Sequence, residues 1–254
     1  TPVGEVWGVG PRIGRQLQEA GISTVLDLIR LDPATIKARW SVVLERTVRE
    51  LRGTPCIDLD HAPAPKQQIA VTRSFGQRVT ELAELKEAIT EFASRAAQKL
   101  RAQDSHASAV LVFIRTSPFT PQAPQYSRSI TVPLRLPSSD TLAIVNAALS
   151  GLDRIYRAGF DYAKAGVMLL DLRPASQGQQ ELDLDLGDTA VLHERRQARL
   201  MRALDAVNDR FGRGTLTLGS AGLCQEPGRR WTMRQERRTP RYTTCWDELL
   251  TVVA

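Results

Sequence analysis

The chain has 254 residues, 42% hydrophobic, 24% charged and only 6% aromatic, with 34 Lys+Arg against 28 Asp+Glu and a net charge of +6. That length and apolar fraction suit one large packed domain or two ordinary ones and exclude a wholly disordered chain. The positive balance favours a polyanionic partner. The longest apolar runs, such as 165–170, are far too short to span a bilayer, and no signal peptide opens the chain.

The first segment centres on Trp7-Gly8-Val9-Gly10-Pro11. Gly8 and Gly10 suit a tight turn, and Pro11 suits the first turn of a helix, where its missing N–H costs nothing. Ile13, Leu17 and Ala20 fall on one helical face, and Gly21 can end the helix in a left-handed conformation. Short helices follow from Val25, around Ile36 and over Val42 to Leu51, with Gly53 and Pro55 as stops. Residues 1–55 therefore read as a small all-helical unit. The proline-spaced stretch 56–66 reads as an extended linker.

A second unit spans 67–175. Gln67 to Phe75 reads as a strand. Glu81 to Gln103 reads as a helix with Leu82, Leu85, Ile89, Phe92, Ala96 and Leu100 on one face. Strands over Ser108–Thr116 and Tyr126–Leu136, a helix over Thr141–Arg157 and a strand over Lys164–Leu172 follow. The order β-α-β-β-α-β is the ferredoxin-like arrangement, an α+β fold with both helices on one face of a four-stranded antiparallel sheet. In the third strand Ile130, Val132, Leu134 and Leu136 point one way, and Ser129, Thr131, Pro133 and Arg135 the other. Such an open face suits a phosphate-bearing ligand, or is an ordinary solvated surface.

Residues 176–190 hold alternating Leu and Asp and read as an acidic linker. Val191 to Phe211 reads as a basic amphipathic helix, with Leu200, Leu204 and Val207 inside and Arg195, Arg196, Arg199 and Arg202 outside. The tail carries Arg229, Arg230, Arg234, Arg237, Arg238 and Arg241, interleaved with Trp231 and Tyr242. Cys56, Cys224 and Cys245 are scattered without a C-x-x-C pair, which excludes a zinc ribbon, and His61, His106 and His193 are isolated. No H-E-x-x-H, Walker loop or G-x-S-x-G is present, so no self-contained catalytic centre is evident.

Two motifs carry binding chemistry. A Gly-x-Gly turn before a helix offers backbone N–H groups to a phosphate without reading base sequence, and Arg12 and Arg15 add charge one turn further in. With Gly21 to Leu28 this segment resembles a helix-hairpin-helix DNA-backbone-binding module. In Thr72-Arg73-Ser74-Phe75-Gly76-Gln77-Arg78-Val79, the Arg-Ser pair can grip a phosphate by a charge-assisted bond and a hydroxyl donor.

The helical module, the linker and Arg-Ser-Phe-Gly opening a β-α-β-β-α-β unit together resemble the thumb and little finger of the Y-family translesion DNA polymerases. The resemblance is closest to UmuC-type catalytic subunits of bacterial DNA polymerase V and their plasmid relatives. Stretches 42–53, 116–119, 163–169, 212–215 and 239–244 support it, and it covers essentially the whole chain.

The resemblance implies a sequence-nonspecific DNA-binding part of an error-prone polymerase acting in SOS mutagenesis and DNA repair. Gly8, Gly10, Arg12 and Arg15 would grip one strand, and Arg73, Ser74, Arg78, Arg128 and Arg135 would contact backbone phosphates of primer and template. In that family the palm and fingers come first and hold the metal-binding carboxylates. This chain begins at the thumb with Thr1, which fits a fragment or a truncated product. It would hold DNA without extending it, and Mg²⁺ is expected only in the palm. The resemblance places a sliding-clamp peptide at Glu181, Leu182, Asp183, Leu184 and Leu186, where Glu replaces the family's Gln and no Phe follows. That segment is either such a peptide or a plain acidic linker. The region from 191 to 254 would meet the processed UmuD-type subunit and RecA, or its arginines would touch DNA. No membrane partner is implied, and the expected location is the bacterial cytoplasm with the nucleoid. The alternative is a stand-alone adaptor that occupies the clamp, the UmuD-type subunit or RecA and modulates an intact polymerase.

Overall fold

The computed structural model describes residues 1–59, 64–177, 187–222, 230–234 and 239–249. The chain divides into two compact units, Thr1–Ala64 and Pro65–Ala254.

The first unit holds α1 (Pro11–Glu19), α2 (Val25–Arg30), α3 (Pro33–Arg39) and α4 (Val42–Leu51). Its core is Val3, Val9, Leu17, Ile22, Leu28, Ile36, Leu44 and Val48. Helices this short are not stable alone, so caps and packing define them. Thr24 and Asp27 form a reciprocal capping box at α2, and Asp32 and Ser41 cap α3 and α4. The Arg52 guanidinium donates to the Ile29 carbonyl at 2.7 Å and also to the Leu31 carbonyl, closing the C-terminal end of α2.

The Thr24 hydroxyl and then its N–H hold the Asp27 carboxyl below its ordinary value of 3.8. The Thr35 N–H does the same for Asp32. A depressed folded-state value means that the stabilisation is present above the unfolded value and lost as pH falls through the folded one. The melting midpoint of this unit is therefore expected to fall as pH drops below about 4. An Asp27→Asn, Asp32→Asn double variant should flatten that fall. A variant with the same acid sensitivity as the parent would sink the assignment.

The second unit follows the expected element order: β1 (Ile69–Val79), α5 (Leu82–Ala102), β2 (Ser105–Thr116), β3 (Ser127–Ser138), α6 (Thr141–Ile155) and β4 (Tyr162–Leu170). The two helices pack together over one face. Leu85, Ile89, Phe92, Ala96 and Leu100 of α5 and Ile144, Val145, Ala148 and Leu152 of α6 cover Val110, Val112, Ile114, Val167 and Leu169.

The strand order is β1-β4-β2-β3, every pair antiparallel. This differs from the ferredoxin-like order, in which β1 and β3 are the inner pair. The composition of the strands accounts for the difference. β2 and β4 are the apolar runs and take the inner positions. β3 carries Pro133 and Pro137, which lack the N–H an inner strand must donate, so it lies at the edge.

Beyond the sheet, β5 (Arg173–Pro174), at the end of the stretch 67–175 expected for the second unit, pairs with the start of β2. Helix α7 (Gly187–Phe211) packs on the same unit with Leu204 and Val207 partly covered, as expected, and Leu200 turned outward. Met201 is buried, Leu204 and Asp205 are partly covered, and Leu200 is 54% exposed. The Arg101 guanidinium bonds Asp205 at 2.6 and 2.7 Å, and the Met201 sulfur lies 3.4 Å from the Thr141 nitrogen. These contacts set the rotation of α7 and turn Leu200 outward. Arg196, Arg199 and Arg202 are exposed as expected. No helix among the described residues is long and apolar enough to cross a membrane.

Candidate nucleic-acid interface

In the first unit, Gly8 adopts φ +91°, a conformation that favours glycine. Gly10 is the extended residue before α1, with no side-chain cap, and Pro11 follows at the first helical position. The first helical amides therefore face outward beside Arg12 and Arg15, both exposed. Trp7, in the same turn, is 95% exposed. The turn is preceded by a single 3-10 turn, Val3–Glu5, and not by a full helix, so the two-helix hairpin is only half present among the described residues.

On the second unit, the four main strands hold Arg73, Arg78, Arg115, Arg128, Arg135 and Lys164 and no Asp or Glu. The face turned away from the helices is built in rows across the sheet. Ser74, Lys164, Arg115 and Ser127 form one row, and Thr72, Gly166, Phe113 and Ser129 the next. Neighbouring strands lie about 4.8 Å apart, so Lys164 and Arg115 stand directly opposite each other. No carboxylate among the described residues pairs with either. Like charges placed opposite each other disfavour the sheet unless an anion bridges them. In the adjacent row the Phe113 ring lies over Gly166, where an added Cβ would sit 2.6 Å from the ring edge.

The sequence-predicted residues divide between the two faces. Ser74 sits on the open face beside Lys164. Arg135, next to the partly buried Leu134, is exposed on the same side, and Arg78 is exposed next to buried Val79. Arg73 pairs with Ala165 and so lies on the helix side, where its Nη1 is 3.3 Å from the Met233 sulfur. Arg128 pairs with buried Ile114 on the edge strand, yet borders the shallow depression formed with Phe113, Arg115 and Ser129. The clamp-peptide residues Glu181, Leu182, Asp183, Leu184 and Leu186 lie outside the described residues.

Sequence reasoning did not single out Lys164 and Arg115, each the lone Lys or Arg of a mostly apolar strand. Their alternation with Ala165 and Val167, and with Val112 and Ile114, was the available signal. Among the described residues no group of three or more His, Cys, Asp or Glu could hold a metal ion.

Comparison with known proteins matches residues 66–182 to the impB/mucB/samB family C-terminal domain and residues 198–252 to a domain of unknown function (DUF4113). The chain is 44% identical over 251 residues to Protein UmuC of Salmonella typhimurium, covering 99% of this chain and 57% of the relative. It is 43% identical over 248 residues to Protein SamB of Salmonella typhimurium, covering 98% and 56%. A more distant match, 26% identical over 215 residues, is DNA polymerase IV of Desulfatibacillum aliphaticivorans, covering 85% and 52%. The chain thus spans about half the length of the curated relatives it matches. The matched domain and the identity along nearly the whole chain lead to one conclusion: the chain is a UmuC-type relative that carries, at residues 66–182, the C-terminal domain of the impB/mucB/samB family.

Proposed function

We propose that this chain is the sequence-nonspecific DNA-binding part of an error-prone translesion DNA polymerase acting in SOS mutagenesis and repair. The observation that carries the reading is the Lys164–Arg115 pair, two facing cations on a sheet whose four strands hold no acid. A backbone phosphate seated between them removes their mutual repulsion and accepts hydrogen bonds from both and from Ser74 or Ser127. Such contacts position a duplex without reading its bases, which suits an enzyme that must accept damaged templates. Gly8, Gly10, Arg12 and Arg15 of the first unit supply a separate phosphate contact at the start of α1. The reading places the protein in the bacterial cytoplasm with the DNA. The sliding clamp, a processed UmuD-type subunit and RecA are its proposed protein partners.

Fluorescence anisotropy on a primer–template duplex over a salt series tests this. Micromolar or tighter binding at low salt is expected, with log K falling linearly in log salt by about 0.9 for each phosphate contacted. Unrelated duplex sequences should bind alike. Absence of binding at low salt would remove DNA as the ligand and leave the protein partners as the functional targets.

A further inference from the structure

The facing cations of the open sheet face occupy one row, and a different surface begins beside them. On the two inner strands, the residues that alternate with the core are Arg115, Phe113 and Leu111 of β2 and Lys164, Gly166, Met168 and Leu170 of β4. Phe113, Leu111, Met168 and Leu170 are only half-buried, although both strands lie in the middle of the sheet. Phe113 is the apolar residue next to the charged row, about 7 Å from it along the strand. Its ring is held in place. A Cβ on Gly166 would lie 2.6 and 2.8 Å from two carbons of the Phe113 ring and 2.5 Å from the Thr72 methyl. The ring therefore leans from β2 across β4 toward Thr72 on β1, and the missing side chain at 166 makes room for it. Toward β3, Phe113 and Leu111 share one shallow depression with Arg115, Arg128, Ser127 and Ser129.

We propose that Phe113 is a sugar-contacting residue of this face, its ring packing against a deoxyribose next to the phosphate seated between Lys164 and Arg115. The contact rests on the DNA-binding reading above. A nucleic-acid strand alternates a charged phosphate with a largely apolar sugar ring, and this face sets a cation row beside an aromatic ring. In a duplex the bases are stacked inside, whereas a sugar flanks every phosphate, so the ring meets sugar and reads no base. A ring already held over Gly166 loses little freedom on binding. The apolar area it covers adds affinity without releasing a counterion, so its share does not depend on salt. That property separates it from the cations beside it.

The test uses the full 254-residue chain and a primer–template duplex over a salt series, with the melting midpoint as the check on folding. Phe113→Ala is expected to weaken binding about ten-fold at every salt concentration and to leave the salt slope parental. Gly166→Ala is expected to do the same with every contacting side chain still present, because its methyl displaces the ring. The atoms it meets are side-chain ends, so the backbone need not move. An Arg115→Ala, Lys164→Ala variant tests the underlying phosphate reading in parallel through a lowered slope. Parental affinity in Phe113→Ala beside a lowered slope in the Arg115, Lys164 variant overturns the sugar contact and leaves the phosphate reading standing. Parental affinity and slope in both overturn the two together. A lowered slope in Phe113→Ala means that the ring only steadies the neighbouring Arg115, which also overturns the contact. If Phe113→Ala does not fold, Gly166→Ala decides, and parental affinity there overturns the contact.

Discussion

Changing Arg115 and Lys164 to alanine together is expected to lower the salt slope of duplex binding by about two units and to weaken binding equally for every sequence. The expectation follows from the register, which sets the two cations opposite each other on the open face between Ser74 and Ser127. Facing like charges oppose the fold, so their removal should leave the melting midpoint unchanged or slightly raised. A fall in binding with no loss of stability separates an interface role from a structural one. Arg73→Ala serves as the contrast. Arg73 lies on the helix side beside Met233, so its loss should change the slope less than the loss of either Lys164 or Arg115. A parental slope in the Arg115, Lys164 variant would remove the open face from the interface.

Arg101→Ala is expected to release α7 from the sheet unit, at a cost of about 3 kcal/mol in its docking. Arg101 ties three elements together. It bonds both Asp205 oxygens on α7, at 2.6 and 2.7 Å, the Ser139 carbonyl at 2.8 Å and the Thr141 hydroxyl, at the start of α6, at 2.9 Å. Both side chains of the ion pair are largely covered, 12% and 19% exposed. Truncating the arginine leaves the Asp205 carboxylate half-buried without its partner, which is worse than lacking the pair altogether. An Arg101→Met, Asp205→Leu double variant should therefore recover most of the loss, because neither side then buries an uncompensated charge. Hydrogen exchange over 197–211 measures the release, and a double-mutant cycle gives the coupling. Unchanged exchange in Arg101→Ala would show that Met201 and its neighbours hold the helix without the ion pair.

Part of the local geometry at the candidate interface was legible because its signals are local. The Gly8–Gly10 turn and Pro11 at the start of α1 act within one helical turn, and each appears where spacing put it. The alternation in β3 correctly sent Ser129 and Thr131 to the open face. The error in α7 has a different origin. Leu200 was a reasonable inward residue by periodicity, but the ion pair to Arg101 fixed the rotation, and its partner lies on another helix. The edge position of β3 was readable from Pro133 and Pro137, a signal that the ferredoxin-like analogy overrode.

The sequence by itself determined the family, the element order, the all-helical first unit and the alternation within the third strand. These depend on residue type and on periods of 2 and 3.6, which are properties of a short stretch of chain. Only the tertiary structure decided that Lys164 faces Arg115, that Arg73 is separated from Ser74 by the thickness of the sheet, and that the Phe113 ring lies over Gly166. Strand pairing and register join segments far apart in the chain. A shift by one residue would turn every side chain to the other face, so the site exists only once long-range packing has selected the register.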